Sequence, residues 1–272
     1  MRLVSLHVDP VKALRGYDPP DAAVEPWGLA GDRRYMVIGA DAKVLTQRVH
    51  PVLTQVFAGY RADRTLLLRP RPGVGLPELR VPVPGGGELV EVGIWRSTLP
   101  ATLAPAEAHA WFSKLLGLDA RLVYLDDPTR RPVNPKYGTA DDRVSFADGY
   151  PLLLANRASL DRLNDWLLAD GEAPEPLPMN RFRPSIVVDG AEPFAEDGWR
   201  RIRVGGVEFR VVKPCDRCVV TQTDQDTGVR GRGPLHTLSR HHRIDGLPIF
   251  GQNLIPDGTG PLRVGDLVTV LG

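Results

Sequence analysis

The chain has 272 residues and a formal net charge of +1, with 42% hydrophobic and 25% charged residues. This balance is typical of a globular protein with a sizeable core, and it argues against a nucleic-acid groove or a polybasic membrane anchor. No apolar run approaches the ~20 residues of a membrane span, and charges appear too early for a signal peptide. We therefore expect a cytoplasmic protein. The 28 glycines and 26 prolines favour many short elements joined by turns.

The first hundred residues predict short strands separated by turns. The predicted strands are Arg2–Val8, Arg33–Ile38, a strand near Val44–Gln47, Thr65–Leu68 and Leu89–Ile94. A stretch rich in proline and glycine separates the last two of them. Short strands at this spacing, with turn residues between them, are typical of a small barrel or a sandwich.

The rest of the chain predicts two helices among further strands. Apolar residues recur at helical spacing in Ala104–Leu116, and Ser159–Leu168 follows a capping residue, either Asn156 or Ser159. Between the helices, the polar segment Asp126–Gly149 predicts a long loop. The predicted strands are Arg121–Leu125, Ser185–Val188, Arg201–Val204, Val207–Val212, Val219–Thr223 and Leu267–Leu271. The fold class is therefore mostly β, or α+β by strict counting.

Both cysteines of the chain lie in one motif, Lys213–Cys218, which reads Lys-Pro-Cys-Asp-Arg-Cys. We expect Pro214 to end a strand and to leave Cys215 and Cys218 on a tight connection. The lysine and the arginine of the motif would stabilise a thiolate. Two cysteines cannot form a disulfide scaffold, a four-thiolate zinc site or an iron–sulfur cluster within one chain. A redox pair, half of a zinc site completed by a partner chain, and a cofactor-binding thiolate all stay open.

Three cations elsewhere are candidates for binding an anion. Arg183 precedes Pro184, which should hold the arginine backbone extended and aim its guanidinium at a carboxylate or a phosphate. Lys12 and Arg33 each lie close to an aspartate and to a proline or glycine. Each of the three cations could equally be an ordinary surface ion-pair residue.

A set of motifs along the chain forms a pattern when the motifs are taken together. They are Phe182–Pro184, Glu196–Trp199, Gly205–Val211, Pro214–Cys218, Thr221–Gly228, Phe250–Asn253 and Val264–Asp266. This pattern resembles the MOSC family of molybdenum-cofactor domains, which are related to the C-terminal part of molybdenum cofactor sulfurases. Asp9–Lys12 and Gly31–Tyr35 are similar to the β-barrel domain that precedes MOSC in amidoxime-reducing components. The resemblance implies a small N-terminal β-barrel domain over residues 1–100, packed with a MOSC β-barrel domain over residues 101–272 that has few helices.

The resemblance also implies the residues of a site. In the family the second cysteine of the motif binds molybdenum, so Cys218 is the predicted catalytic and metal-binding residue. The molybdenum cofactor is a pterin dithiolene with a phosphate tail, and the family holds it with basic residues and loop backbone. The matching cofactor-binding positions are Lys12, Arg33, Asp148, Gly149, Tyr150, Arg183, Asp216, Arg217 and Asn253.

The function implied by the resemblance is that of a molybdenum-cofactor-dependent oxidoreductase that reduces N-hydroxylated compounds. Because the chain has no spare cysteines for an iron–sulfur cluster, electrons would come from an external flavoprotein reductase or ferredoxin-like protein. The alternative is a module without turnover that carries the cofactor, or a persulfide on Cys218, to another protein. A third interpretation is a zinc site built from Cys215 and Cys218 of two chains. Neither a nucleic acid nor a membrane is an expected partner.

Overall fold

The computed structural model describes residues 1–173 and 175–272, and within them the chain forms eighteen strands and three α-helices. The strands are β1 Arg2–Leu6, β2 Asp21–Glu25, β3 Gly28–Leu29, β4 Tyr35–Gly39, β5 Val56–Tyr60, β6 Leu66–Pro70, β7 Leu79–Val81, β8 Leu89–Ile94, β9 Ser97–Leu103, β10 Ala120–Tyr124, β11 Leu152–Asn156, β12 Ile186–Asp189, β13 Arg201–Val204, β14 Val207–Asp216, β15 Arg243–Ile244, β16 Leu247–Pro256, β17 Gly260–Arg263 and β18 Val268–Val270. The α-helices are α1 Ala106–Leu116, α2 Arg157–Ala169 and α3 Gly233–His241. The predicted fold class, mostly β with few helices, is confirmed.

The largest sheet curls into a nearly closed barrel. Its strands lie in the order β1-β12-β11-β16-β14-β13-β18, and β15 pairs with β16 beside this path. An antiparallel bridge between Arg2 and Leu267 brings the two ends of the sheet together. Fully buried apolar side chains such as Leu154, Phe209 and Leu254 fill the barrel. They come from the strand positions that face inward.

Three smaller sheets complete the fold. Their strand orders are β4-β10-β9-β8, β17-β2-β3 and β5-β6-β7. Tyr35, Leu68 and the α1 residue Phe112 share a second buried core. Several strand pairings cross residue 100, because β10 pairs with β4, β1 pairs with β12 of the barrel and β17 pairs with β2. The division of the chain into domains at residue 100 stays a prediction.

Both predicted helices form, and their ends have local causes. α1 ends at Gly117, whose φ of 68° is a left-handed conformation that glycine adopts without a steric penalty. α2 begins after Asn156, whose side chain accepts a hydrogen bond from the Ala158 N–H. The predicted loop Asp126–Gly149 contains a 3₁₀ turn over Pro128–Arg130 and otherwise turns and isolated bridges. In the described part of the chain no helix is long and apolar enough to cross a membrane.

Three local predictions are wrong. Val219–Thr223 is not a strand, because Val219–Gln222 forms a 3₁₀ helix, and so short an apolar run has no period that separates the two structures. Pro214 does not end its strand. β14 continues to Asp216, with register shifts on both sides of the proline that accommodate its missing N–H. The segment near Val44–Gln47 contributes an isolated bridge in place of a strand.

Sequence patterns did not reveal α3 or the long strand β16. α3 begins with Gly233 and Pro234, which read as a turn, yet proline fits the first helical turn because an N–H there needs no partner within the helix. β16 contains Gly251, whose φ is 81° and where a Cβ would lie 2.5 Å from the Leu154 carbonyl oxygen. Glycine therefore lets β16 approach β11 closely. The pairing of β16 with β14 then places Asn253 beside the cysteine motif.

Candidate cofactor site

A cavity of about 330 Å³ lies between residues of the first hundred positions and residues of the barrel. All ten residues that the family resemblance implies lie on its wall. They are Lys12, Arg33, Asp148, Gly149, Tyr150, Arg183, Asp216, Arg217, Cys218 and Asn253. The fold thus brings together side chains that the sequence separates by more than two hundred positions, from Lys12 to Asn253.

The two cysteines of the motif have different surroundings. Arg217 Nη1 donates a hydrogen bond to Cys215 Sγ at 2.8 Å, and Arg217 Nη2 donates to the Phe182 carbonyl oxygen at 2.7 Å. Burial raises the pKa of the Cys215 thiol, and the Arg217 charge opposes this shift only in part. Cys218 lies at the start of the 3₁₀ helix Val219–Gln222, and its Sγ has no hydrogen-bond partner among the described residues. Cys218 is therefore the thiol free to bind another group.

A cluster of three cations and three carboxylates, all of them largely buried except Asp148, supports the cavity. This cavity cluster consists of Lys12, Arg33, Arg183, Asp9, Asp32 and Asp148. Asp9 Oδ2 lies 3.1 Å from Arg33 Nη2 and 2.8 Å from Arg183 Nη2, so that one carboxylate bridges two guanidinium groups. Burial raises the pKa of Asp32 and lowers that of Arg183. The charged forms of these groups are therefore held at a cost in free energy.

Lys12 and Asp148 form the part of the cavity cluster that faces the open space. Lys12 Nζ donates to Asp148 Oδ1 at 2.5 Å, and the lysine side chain is only 7% exposed. Burial lowers the pKa of Lys12 to about 8, although the Asp148 charge opposes the shift. The Asp148 side chain is 74% exposed, and the charges of Lys12, Arg33 and Arg48 hold the pKa of this carboxyl below its usual range against a partial loss of hydration. Lys12 is thus a cation at neutral pH whose proton is easily released.

Backbone strain is concentrated at the cavity. Of the eight non-glycine residues with positive φ in the described chain, four line it: Ala13 at 70°, Arg33 at 48°, Trp95 at 54° and Arg183 at 52°. The extended backbone expected at Arg183 is therefore wrong. Its left-handed conformation is held by the ion pair with Asp9 and by Arg33, which donates to the Arg183 carbonyl oxygen. Such strained residues persist where the surrounding structure fixes them, and they cluster at functional sites.

Sequence analysis missed an arginine that holds the loop of Asp148. Arg131 is 3% exposed and donates to the carbonyl oxygens of Ser145, Ala147 and Asp148 at 2.5, 2.6 and 2.9 Å. Burial lowers the pKa of Arg131 to about 10, with the Asp148 charge opposing. One feature of the sequence could have indicated Arg131: it directly precedes a proline, as Arg183 does.

The cavity wall carries an excess of positive charge. Its cations are Lys12, Arg33, Arg48, Arg183, Lys213 and Arg217, and its carboxylates are Asp148 and Asp216. Arg217 Nε is buried and forms no hydrogen bond with any described residue. Surplus cations with an unsatisfied donor make a site for an anion. Groups of three or more His, Cys, Asp or Glu side chains that could hold a metal ion do not occur among the described residues. A metal at Cys218 would therefore need ligands from outside the chain.

Two family models match the two segments of the chain that line this cavity. The model described as "MOSC N-terminal beta barrel domain" matches residues 1–119, and the model described as "MOSC domain" matches residues 141–269. The nearly closed barrel, the cysteine motif on β14 and the cationic cavity are thus features of a chain that belongs to the MOSC-domain family. The resemblance inferred from the sequence motifs is confirmed.

Curated relatives place the chain more closely within the family. The Mus musculus protein "Mitochondrial amidoxime-reducing component 1" is 30% identical over a 290-residue alignment, which covers 99% of this chain and 82% of the relative. "Mitochondrial amidoxime reducing component 2" of Bos taurus is 30% identical, with 97% of this chain and 81% of the relative covered. Component 1 of Danio rerio is 32% identical, with 89% and 75% covered. The chain is therefore homologous to amidoxime-reducing components over nearly its full length.

Proposed function

We propose that the protein is a molybdenum-cofactor-dependent reductase of N-hydroxylated compounds such as amidoximes. The observation that carries this proposal is the position of Cys218, whose thiol has no hydrogen-bond partner among the residues that the structure describes and lies on the wall of a cationic cavity. A soft thiolate ligand suits molybdenum, and surplus cations suit a phosphate group. The substrate class is supported by the relatives, which are named for amidoxime reduction.

The residues of the cavity divide into groups with separate roles in this proposal. The Cys218 thiolate would bind the metal, and the Asp148–Tyr150 loop and Asn253 would lie against the pterin. The residues that would hold the anionic end of the cofactor are Lys12, Arg33, Arg183 and Arg217, whose charges exceed those of the nearby carboxylates. When bound, the molybdenum cofactor supplies two-electron chemistry, while the protein supplies binding, orientation and electrostatics.

The proposed reaction breaks the N–O bond of the substrate. An amidoxime takes up two electrons and two protons, the oxygen leaves as water, and the product is an amidine. Lys12 Nζ can hold one of these protons at the cavity, because the pKa of Lys12 is about 8 and its side chain lines the space. Asp148 accepts the hydrogen bond from Lys12 and so keeps the ammonium group in place.

Electrons would come from a separate protein. Both cysteines of this chain belong to one motif, so neither an iron–sulfur cluster nor a disulfide relay elsewhere in the chain can store them. A donor of the flavoprotein or ferredoxin-like class would dock only transiently, and the turnover rate should fall with ionic strength if charged surfaces steer the encounter.

Turnover of benzamidoxime to benzamidine by the molybdenum-loaded protein tests the proposed function. We expect no turnover with NADH or NADPH alone, because the sequence carries no Gly-x-Gly-x-x-Gly fingerprint for a dinucleotide or a flavin. Reduced methyl viologen, or a flavoprotein reductase with a small ferredoxin-like protein, should support product formation measured by liquid chromatography. Steady NADPH-dependent turnover by the isolated chain would contradict the external donor. Absence of turnover with every reductant, at full molybdenum loading, would contradict the reductase.

A carrier function is the second candidate, and the free thiol of Cys218 is the observation that favours it. A carrier would hold a persulfide on Cys218, or the cofactor itself, and would release it to another protein without reducing a substrate. Mass spectrometry of the freshly purified chain would then detect an added sulfur on the peptide that contains Cys218. Cys215 provides an internal control on the same peptide, because its Sγ already accepts a hydrogen bond from Arg217.

A further inference from the structure

Trp95 occupies an unusual position at the rim of the cavity. It forms the two-residue loop of the β8–β9 hairpin together with Arg96, and its φ is 54°. Tight hairpin loops favour glycine, asparagine or aspartate at positions with positive φ. A tryptophan there is strained, and such strain points to a role for the side chain.

Several contacts hold the Trp95 ring in place. The indole Nε1 donates to Asp148 Oδ1 at 3.3 Å, the same oxygen that accepts from Lys12. The Arg48 guanidinium lies over the ring at 4.4 Å from its centroid, and Lys12 Nζ lies at 5.5 Å. The ring is thus fixed by groups of the cavity wall, yet Trp95 remains 44% exposed.

The other aromatic residues of the cavity wall offer less surface. Phe182 is fully buried and stacks on Phe250 at a centroid distance of 3.9 Å. Tyr150 is partly buried and packs edge-on against Tyr137. Trp95 is therefore the exposed aromatic surface of this cavity within the described chain. Most of the wall's remaining charged groups would be engaged by an anionic cofactor.

We propose that Trp95, supported by Arg48, is the surface on which a flat, π-conjugated N-hydroxylated substrate stacks. The inference rests on the proposed function and adds the substrate class. A rigid indole ring gains most from a planar partner, such as an aryl amidoxime or an N-hydroxylated heterocycle, and little from a small aliphatic hydroxylamine. Trp95 then determines specificity by binding the substrate body, and it takes no part in proton or electron transfer.

Three variants test this inference in the molybdenum-loaded protein with reduced methyl viologen as donor. Trp95→Leu removes the aromatic face, Trp95→Phe keeps a smaller one, and Trp27→Leu is the matched control. Like Trp95, Trp27 has an arginine over its ring, because the Arg34 guanidinium lies 5.9 Å from the ring centroid. Its Nε1 also donates to a carboxylate, that of Glu25. Trp27 does not belong to the cavity lining.

The expected result is a change in KM that depends on the substrate. Trp95→Leu should raise the KM for benzamidoxime roughly tenfold with little change in kcat, whereas Trp95→Phe should raise it about threefold. The KM for N-methylhydroxylamine should stay the same in both variants, and Trp27→Leu should change neither constant. An equal rise in KM for both substrates, or a loss of molybdenum from Trp95→Leu, would overturn the inference.

A binding measurement separates this inference from the proposed function. Benzamide is planar and neutral and has no N–O bond to reduce, so calorimetric titration with it needs no turnover. Weaker benzamide binding by Trp95→Leu, but not by Trp27→Leu, supports the stacking surface even if the wild-type protein reduces nothing. Unchanged benzamide binding in Trp95→Leu contradicts the stacking surface even if the wild-type protein is an active reductase.

Discussion

Two clusters of charged side chains in this molecule have the same composition and different surroundings. The cavity cluster contains three cations and three carboxylates, and so does an outer cluster on β13, β14 and the adjoining loops. The outer cluster consists of Arg201, Arg203, Arg210, Asp142, Glu208 and Asp257. In each cluster one aspartate bridges two arginines. Asp9 does so beside the cavity, and Asp257 does so on the outside of the barrel.

Access to solvent separates the cations of the two clusters. The cationic side chains of the cavity cluster are at most 14% exposed, whereas those of the outer cluster are at least 28% exposed. Burial lowers the pKa of Lys12 and Arg183, but the hydrogen bond to Asp142 raises that of Arg210. Attraction between charges outweighs loss of hydration for Arg210 of the outer cluster, whereas loss of hydration dominates for Lys12 and Arg183 at the cavity, although not for Arg33 and Asp148. Equal numbers of charged groups therefore do not mean equal stability, and the costly cluster is the one that faces a ligand-sized space.

The largest expected difference between the clusters comes from the two bridging aspartates. Asp9→Asn leaves Arg33 and Arg183 without their shared counter-charge in a buried place, so the free energy of unfolding should fall by about 3–5 kcal/mol. Asp257→Asn acts on arginines that water can reach, and it should cost at most about 1 kcal/mol. Urea unfolding of the cofactor-free protein measures both values. Equal losses in the two variants would contradict the distinction between the clusters.

A smaller expected effect is the response of stability to alkaline pH. The pKa of Lys12 falls from 10.5 to about 8 on folding, so between these values the unfolded chain binds more protons than the folded chain. Stability should therefore rise between these pH values, by at most roughly 3 kcal/mol from this group. Below pH 8 both states are protonated and this contribution does not change.

Lys12→Met should remove that rise, and Lys114→Met on the exposed side of α1 should leave it in place. Urea unfolding at several pH values between neutrality and 10.5 measures the slope of the free energy of unfolding against pH. The outer cluster has a dependence of the same sign in the acidic range, because hydrogen bonds from Arg210 and Arg203 lower the pKa values of Asp142 and Glu208 on folding, with burial opposing. Its contribution is lost as the pH falls through those lowered values. If the free energy of unfolding of Lys12→Met still rises over this alkaline range, groups other than Lys12 cause the rise.

Local patterns in the sequence predicted parts of the fold and not others. Leu89–Ile94 and Arg201–Val204 alternate clearly, and both strands form over those residues. Val219–Thr223 is too short for its pattern to separate a strand from a 3₁₀ helix. At Arg183, contacts with Asp9 override the local preference of a residue before proline.

The candidate site depended on the resemblance rather than on local pattern. Lys12 and Asp148 are 136 positions apart in the chain, and neither has a neighbour in sequence that indicates the pairing. Arg131 and Trp95 were missed because their partners are set by the tertiary structure, through loop carbonyl oxygens in one case and a carboxylate in the other. The family motifs supplied positions that periodicity could not.

The molybdenum content of two single cysteine variants tests the central assignment most directly. Cys218→Ala and Cys215→Ala are purified from the same host as the wild-type chain, and metal is measured by mass spectrometry alongside the thermal midpoint as a folding control. We expect Cys218→Ala to lose molybdenum. We expect Cys215→Ala to retain most of it, because in the wild-type chain the Cys215 thiol already accepts a hydrogen bond from Arg217. Retention of molybdenum by a folded Cys218→Ala, or its loss from both variants alike, would contradict Cys218 as the metal ligand.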